Sequence, residues 1–161
     1  MIEAEHSPHS KKRIIFGLGS NLGDRNFYLS EAVYELEIQL FLTYVKKSDI
    51  LKNSALLLPN SPKEWDCEFL NLAISADIDL QKFPPEKILE IVKKIEKKIG
   101  RKEAERWSPR EIDIDILVIA GLKINIPDTL LLPHPGLFDR DFFIKTVEQI
   151  EPNFREYTHS S

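Results

Sequence analysis

Residues 13–18, Arg13-Ile14-Ile15-Phe16-Gly17-Leu18, form a short apolar run ended by glycines and predict a strand. Asn21-Leu22-Gly23-Asp24 predicts a turn whose last residue caps a helix. Leu29, Val33, Leu36 and Leu40 then step by four, three and four, which is one face of an amphipathic helix. A strand is predicted over Thr43–Leu51, a long loop with Pro59-Asn60-Ser61-Pro62 over Lys52–Asp66, and another strand over Phe69–Ile78. Compact domains keep so long a loop mainly as a lid or a binding loop. Pro84-Pro85 opens a second helix with a buried face of Ile88, Val92, Ile95 and Ile99, and Gly100 suits its C-terminal cap. Ile112–Ala120 is the clearest strand, and Lys123–Ile126 is expected to pair with it as a short arm. Leu132-Pro133-His134-Pro135-Gly136 predicts a rigid loop, with Asp139 or a neighbour capping a last helix through Val147 and Ile150.

The order strand, helix, strand, strand, helix, strand, helix predicts an α+β fold, the ferredoxin-like βαββαβ sandwich. A mainly antiparallel sheet would carry the helices on one face, with an appended C-terminal helix. Residues 1–12 are polar and predict a flexible leader, leaving 13–161 as a single domain. The length of 161 residues and 42% hydrophobic content suffice for one real core. A net charge of -4 argues against a general nucleic-acid or membrane-surface binder, which needs a basic patch. No apolar run approaches the length of a membrane-spanning helix. Cys67 is the one cysteine, so no intramolecular disulfide forms and a reducing, cytoplasmic setting is expected. With no His beside it in sequence, Cys67 reads as a filler next to a strand rather than a nucleophile.

The strongest chemical signal is Arg110-Glu111-Ile112-Asp113-Ile114-Asp115-Ile116-Leu117. Strand alternation sends Ile112, Ile114 and Ile116 into the core and sets Asp113 and Asp115 side by side on the other face. Carboxylates held so close repel unless a cation lies between them, and a rigid pair of hard oxygen donors suits Mg²⁺. A solvent-facing acidic stripe explains the spacing equally well. Arg101, Arg106 and Arg110 on the approach favour phosphate chemistry, against surface pairing with Glu103, Glu105 and Glu111. The glycines at 17, 19 and 23 suggest a dinucleotide-binding turn, but three residues rather than two separate Gly19 from Gly23, so a tight strand-to-helix turn is preferred. His134 between two prolines could donate to phosphate or be an ordinary loop residue; alone it makes a poor zinc site. Phe69 and Asn71 share a strand face that could hold a flat heterocycle with an amide edge, or be a core Phe beside a strand-end Asn. Phe142 and Phe143 are core candidates by default. Lys93, Lys94, Lys97 and Lys98 read as a solvated helix face.

Taken together, the segments resemble the 6-hydroxymethyl-7,8-dihydropterin pyrophosphokinases over nearly the whole chain. The resemblance rests on Gly19-Ser20-Asn21-Leu22-Gly23-Asp24, Phe69-Leu70-Asn71, Glu96 with Gly100-Arg101, Pro133-His134-Pro135 and Arg140-Asp141-Phe142. Its most specific stretch is Arg106-Trp107-Ser108-Pro109-Arg110 running into Glu111–Leu117. It implies transfer of pyrophosphate from ATP to the pterin hydroxymethyl oxygen, leaving AMP. It further implies two Mg²⁺ ions on Asp113 and Asp115, and Arg101 and Arg110 as the catalytic arginines that stabilise the moving phosphates. The implied ATP contacts are Glu96, Arg106, Trp107, Arg110, Ile116, His134 and Arg140, with Ile116 packing adenine and Trp107 on a closing loop. Phe69 and Phe142 correspond to the plates that sandwich the pterin, and Asn71 to the group reading its polar edge. Members are in some cases fused to dihydropteroate synthase or an aldolase, so a partnership with dihydropteroate synthase belongs to what the resemblance implies. A monomer is expected, with no nucleic acid or membrane as partner.

The chain departs from the family pattern in places. Lys102-Glu103 stands where a second arginine is frequent, and that loop is one residue shorter. Lys93 replaces a common glutamine, Asn53-Ser54-Ala55-Leu56 a proline-containing stretch, and Pro135 an aromatic; Pro59–Asp66 is longer. Two other readings compete. A non-catalytic ferredoxin-like binding module would explain the fold but not the aspartate pair beside Arg110. A dinucleotide-dependent oxidoreductase would rest on the glycine turn alone.

Overall fold

The structure, a computed structural model, describes residues 10–53, 59–65, 67–101 and 109–159. In chain order these form β1 (Lys11–Ser20), α1 (Arg25–Gln39), β2 (Thr43–Lys47), β3 (Leu51–Asn53), β4 (Phe69–Asp79) and α2 (Pro85–Ile99). They continue with β5 (Asp113–Ile119), β6 (Ile124–Ile126), β7 (Leu130–Leu132) and α3 (Asp141–Ile150). The main sheet runs β2-β4-β1-β5, with β3 also on β4, and every pair is antiparallel. With β2 and β3 counted as one interrupted strand, this is the sheet order of the ferredoxin-like sandwich.

The continuous apolar run of β1 is explained by its central position, since both faces are covered. On one face Ile14, Phe16 and Leu18 meet Leu29 and Leu36 of α1 and Ile88, Val92 and Ile95 of α2. On the other, Ile15, Ala73, Leu117 and Val118 meet Phe143, Val147 and Ile150 of α3. The appended helix therefore covers the second face of the sheet and is part of the core.

The helix signals hold. The Asp24 side chain accepts from Phe27 N at 3.2 Å, Pro85 stands at the start of α2, and Gly100 closes α2 at φ 126°, a conformation that disfavours a side chain. Five expectations are corrected. The strand β1 starts at Lys11, inside the expected leader. It runs on through Gly19 and Ser20, past the expected end at residue 18, and the turn begins at Asn21 as expected. The single strand expected over 43–51 is split at residues 48–50: Lys47 lies opposite Ile74 and pairing resumes at Leu51 opposite Asn71, one residue more than β4 spans, and the Ser48 side chain takes the Ala73 N–H at 2.9 Å. The arm at 123–126 pairs with β7, as Asp128 takes a left-handed turn (φ 59°) and Thr129 N donates back to Ile126 O at 3.0 Å. Finally, α3 begins at Asp141 after Arg140, with no side-chain cap from Asp139.

Candidate active site

The site grows from the register between β1 and β5. Asp113 lies opposite Gly19 and Asp115 opposite Gly17. Alternation buries Ile114 and Ile116 toward α1 and α2, so the two aspartates share the other face. Gly17 and Gly19 leave the neighbouring strand without side chains on that face. A Cβ at Gly17 would stand 2.8 Å from Phe143 Cε1, and one at Gly19 would stand 3.2 Å from Asn71 Oδ1. The glycines are the floor of a cleft, which is why they alternate at a strand's period of two.

The outer edge of β5 is held by a side chain of α2 and by the backbone of the 133–136 loop. Glu96 Oε2 accepts from Ile114 N at 2.7 Å, and His134 N donates to Leu117 O at 2.8 Å. Glu96 is almost fully buried, and burial pushes its carboxyl up to about 7 against the opposing pull of Arg101 and the Ile114 N–H. Arg101 Nη1 bridges Glu96 Oε2 and Asp113 Oδ1, at 2.9 Å from each. Burial and then the neighbouring Asp115 push the Asp113 carboxyl up, opposed by Arg101 and Arg110.

His134 faces the second aspartate. Its Nδ1 accepts from Gly136 N at 2.9 Å, which puts a proton on Nε2, and Nε2 lies 3.7 Å from Asp115 Oδ1. The imidazole also stands edge-on to Phe143, with centroids 5.5 Å apart. Arg140 lies over the same Phe143 ring at 5.6 Å.

Two clefts meet at the aspartates. The first, an open hollow of about 560 Å³, is lined by Gly17, Gly19, Phe69, Asn71, Phe142 and Arg140, together with Arg110, Asp113 and Asp115. The second, of about 980 Å³, runs along the β5 edge past Glu96, Arg101, Ile116 and His134, again with Asp113 and Asp115. The structure thus brings Phe69, Asn71 and Phe142 together, with the buried Phe143 also in the lining and its ring centroid 4.6 Å from that of Phe142. It places Arg110 and Arg140 beside the first cleft, and Glu96, Arg101, Ile116 and His134 beside the second. Arg106 and Trp107 lie outside the described residues.

Sequence reasoning missed the part played by four residues. Asn53 Oδ1 accepts from Asn71 Nδ2, which also donates to Leu51 O at 3.3 Å. These contacts turn the Asn71 carbonyl oxygen toward the space over Gly19. Asn53 sits in a stretch without a motif, so no local signal could have found it. Asn21 joins three segments: its Oδ1 accepts from Arg110 N at 2.9 Å, its N donates to Arg110 O at 3.3 Å, and its Nδ2 donates to Cys67 O at 3.5 Å. A polar residue directly after a glycine-rich strand was the available signal. Gly17 and Gly19, read as turn formers, are strand residues kept bare. Cys67 Sγ donates to Glu64 O at 3.1 Å.

The donor set bears on a metal. Among the described residues, no group of three or more His, Cys, Asp or Glu side chains could cage an ion. Two carboxylates open to two clefts nevertheless fit Mg²⁺, which takes one or two carboxylates and completes its shell with water and phosphate oxygens. Among the described residues, no helix is long and apolar enough to cross a membrane.

Comparison with known proteins identifies the family. The family model for 7,8-dihydro-6-hydroxymethylpterin-pyrophosphokinase matches residues 15–152. A 2-amino-4-hydroxy-6-hydroxymethyldihydropteridine pyrophosphokinase of Aquifex aeolicus is 41% identical over 140 residues, covering 87% of this chain and 81% of that protein. The Bacillus subtilis enzyme of the same name is 34% identical, covering 83% and 74%. A folate synthesis bifunctional protein of Chlamydia muridarum is 34% identical over 86% of this chain, which spans only 30% of that longer protein. The fold is shared with the crystal structure of Plasmodium falciparum HPPK-DHPS, at a TM-score of 0.62 and 13% identity, over 92% of this chain and 42% of that one. The chain belongs to the 7,8-dihydro-6-hydroxymethylpterin-pyrophosphokinase family, and it is an ATP-dependent diphosphotransferase of folate biosynthesis that moves pyrophosphate from ATP to the hydroxymethyl group of the dihydropterin.

Proposed function

We propose that the first cleft takes the pterin, that the second takes ATP, and that the reacting atoms meet over Asp113 and Asp115. The observation that carries this reading is that the two aspartates stand in the wall shared by both clefts. Phe69 and Phe142 supply flat apolar faces for the ring, and Asn71 presents its carbonyl oxygen to the polar edge. Ile116 offers an apolar surface on the ATP side, where Glu96 and His134 also line the cleft. Arg110 and Arg140 reach the junction from the pterin side and stabilise the terminal phosphates, joined by Arg101 from the ATP side; Arg106 as a further ATP contact and Trp107 as a residue of a loop closing over ATP complete the reading.

Two Mg²⁺ ions held by Asp113 and Asp115 would neutralise the triphosphate and polarise the attacking hydroxyl. The chain's own contribution is positioning: β5 holds the carboxylates at fixed register, Asn21 fixes the backbone of Arg110, and Glu96 fixes Arg101. No side chain near Phe69 and Phe142 is required as a strong base.

The enzyme is read as a monomer whose single domain opens with β1 at Lys11. The mild acidity and lone Cys67 suit a cytoplasmic enzyme. A partnership with dihydropteroate synthase, fused or separate, completes the proposal. The test is incubation with Mg²⁺, ATP and 6-hydroxymethyl-7,8-dihydropterin, with AMP followed by chromatography. AMP that forms only with the pterin, and is lost in an Asp113→Ala/Asp115→Ala double variant, is the expected result. ADP would indicate an ordinary kinase, and no turnover by folded protein would leave only a binding module.

A further inference from the structure

We infer that Arg101 is a resident counter-ion, which occupies the cation position on Asp113 until nucleotide arrives with its divalent ion and then turns to the phosphates. This rests on the reading of Asp113 and Asp115 as the metal-holding pair.

The geometry divides the Arg101 contacts into a fixed and an exchangeable half. Its Nη1 carries two protons and gives one each to Glu96 Oε2 and Asp113 Oδ1, both at 2.9 Å. The Glu96 side chain is 9% exposed, and the same oxygen accepts from Ile114 N at 2.7 Å, so Glu96 cannot follow a departing partner. The Asp113 side chain is 31% exposed and that of Arg101 30%, so this ion pair sits where both clefts open. The backbone root of Arg101 is fixed as well, since its N donates to Glu96 O at 3.0 Å just after Gly100 ends α2. Only the outer half of the bridge, from Nη1 to Asp113, is free to break.

Two partly buried carboxylates side by side are stabilised by a positive charge nearby. Without a metal, the protein supplies it to Asp113 through Arg101. A divalent ion approaching the same oxygen meets a like charge at bonding distance and must displace it. Once displaced, the guanidinium stays tethered to Glu96 and lines the ATP cleft with N–H groups available to phosphate. Arg101 therefore opposes the metal alone and favours the metal with nucleotide.

That opposition of sign is measurable. Binding of Mn²⁺, used as the probe, is followed by electron paramagnetic resonance at pH 8. The samples are the wild type, Arg101→Gln, Arg101→Lys and the Asp113→Ala/Asp115→Ala double variant, each checked for folding by circular dichroism. Without nucleotide, Arg101→Gln should bind Mn²⁺ on the order of tenfold more tightly than wild type, because a neighbouring positive charge is gone. Arg101→Lys, which keeps that charge, should stay near wild type. With a non-hydrolysable ATP analogue present, Arg101→Gln should bind the Mn²⁺–nucleotide complex more weakly than wild type. A nucleotide-free affinity for Arg101→Gln that is undetectable, unchanged or weaker overturns the counter-ion role and leaves the metal pair standing. Equal Mn²⁺ binding by wild type and the double aspartate variant with nucleotide overturns the metal pair, and the counter-ion role with it.

Discussion

Replacing Glu96 by Gln isolates the electrostatic cost of the carboxylate at the β5 edge. The amide keeps an oxygen to accept the Ile114 N–H and removes the titrating proton. In the folded protein, burial holds the Glu96 carboxyl up at about 7, against an ordinary value of 4.5. Between those values the folded state keeps a proton that the unfolded chain releases. The contribution of Glu96 to stability is therefore complete below the unfolded value and is lost as pH rises through the folded one. At about 1.4 kcal/mol per pH unit across that window, the loss is about 3 kcal/mol. For a domain of this size that corresponds to a change in Tm of roughly 10 °C. The assay is urea unfolding of wild type and variant at intervals from pH 4.5 to 8.5. Groups that titrate in both proteins, Asp113 among them, largely cancel in the difference. Glu96→Gln should gain on wild type by about 3 kcal/mol as pH rises. A difference that stays flat, or moves the other way, would refute the reasoning and show that Arg101 and the Ile114 N–H fully offset the burial.

Other outcomes follow from the same contacts. Gly19→Ala places a Cβ 3.2 Å from Asn71 Oδ1 and 3.3 Å from Phe69 Cδ1. It should raise the KM for pterin with the KM for ATP unchanged, which steady-state kinetics will read. Gly17→Ala drives a Cβ to 2.8 Å from Phe143 and should cost about 1–3 kcal/mol by urea denaturation. Asn21→Ala frees the Arg110 backbone from its 2.9 Å anchor, and kcat should fall on the order of 10- to 100-fold through misplacement of that arginine. Glu151 lies at the far end of α3, where its carboxylate accepts from Arg13 at 3.0 Å, Ser75 at 2.7 Å and Tyr157 at 3.0 Å. Glu151→Ala removes these three contacts while Arg13 keeps Asp77 at 3.2 Å and Ser75 at 3.1 Å, and should lower stability by about 1–3 kcal/mol without changing either KM.

The elements whose neighbours in sequence settle their form were legible without coordinates. Helix α1 follows from Leu29, Val33, Leu36 and Leu40 with Asp24 as cap, and α2 from its proline start and Gly100 stop, because caps and periodicity act within a few residues. Asp113 and Asp115 were legible as a same-face pair for the same reason. The errors fell where a distant segment decides. Gly17 and Gly19 looked like a turn because glycine is at home in both settings; pairing with Asn71 on one side and Asp113 on the other makes Gly19 strand. The 123–126 segment carries no mark of its partner, and the left-handed Asp128 sends it to β7 rather than β5.

By itself the sequence determined the secondary-structure order, the α+β class, the aspartate pair with its arginine approach, and the family. These depend on residue type and local spacing. Only the tertiary structure decided that the two aspartates wall two clefts at once, that Asn53 orients Asn71, and that Asn21 anchors Arg110. It alone assigned one guanidinium nitrogen of Arg101 to both Glu96 and Asp113. Each of those contacts joins residues brought together by the register of β1 between β4 and β5, or by the packing of α2 along the edge of β5. Register and packing are set by the whole core, and no local stretch of the chain encodes them.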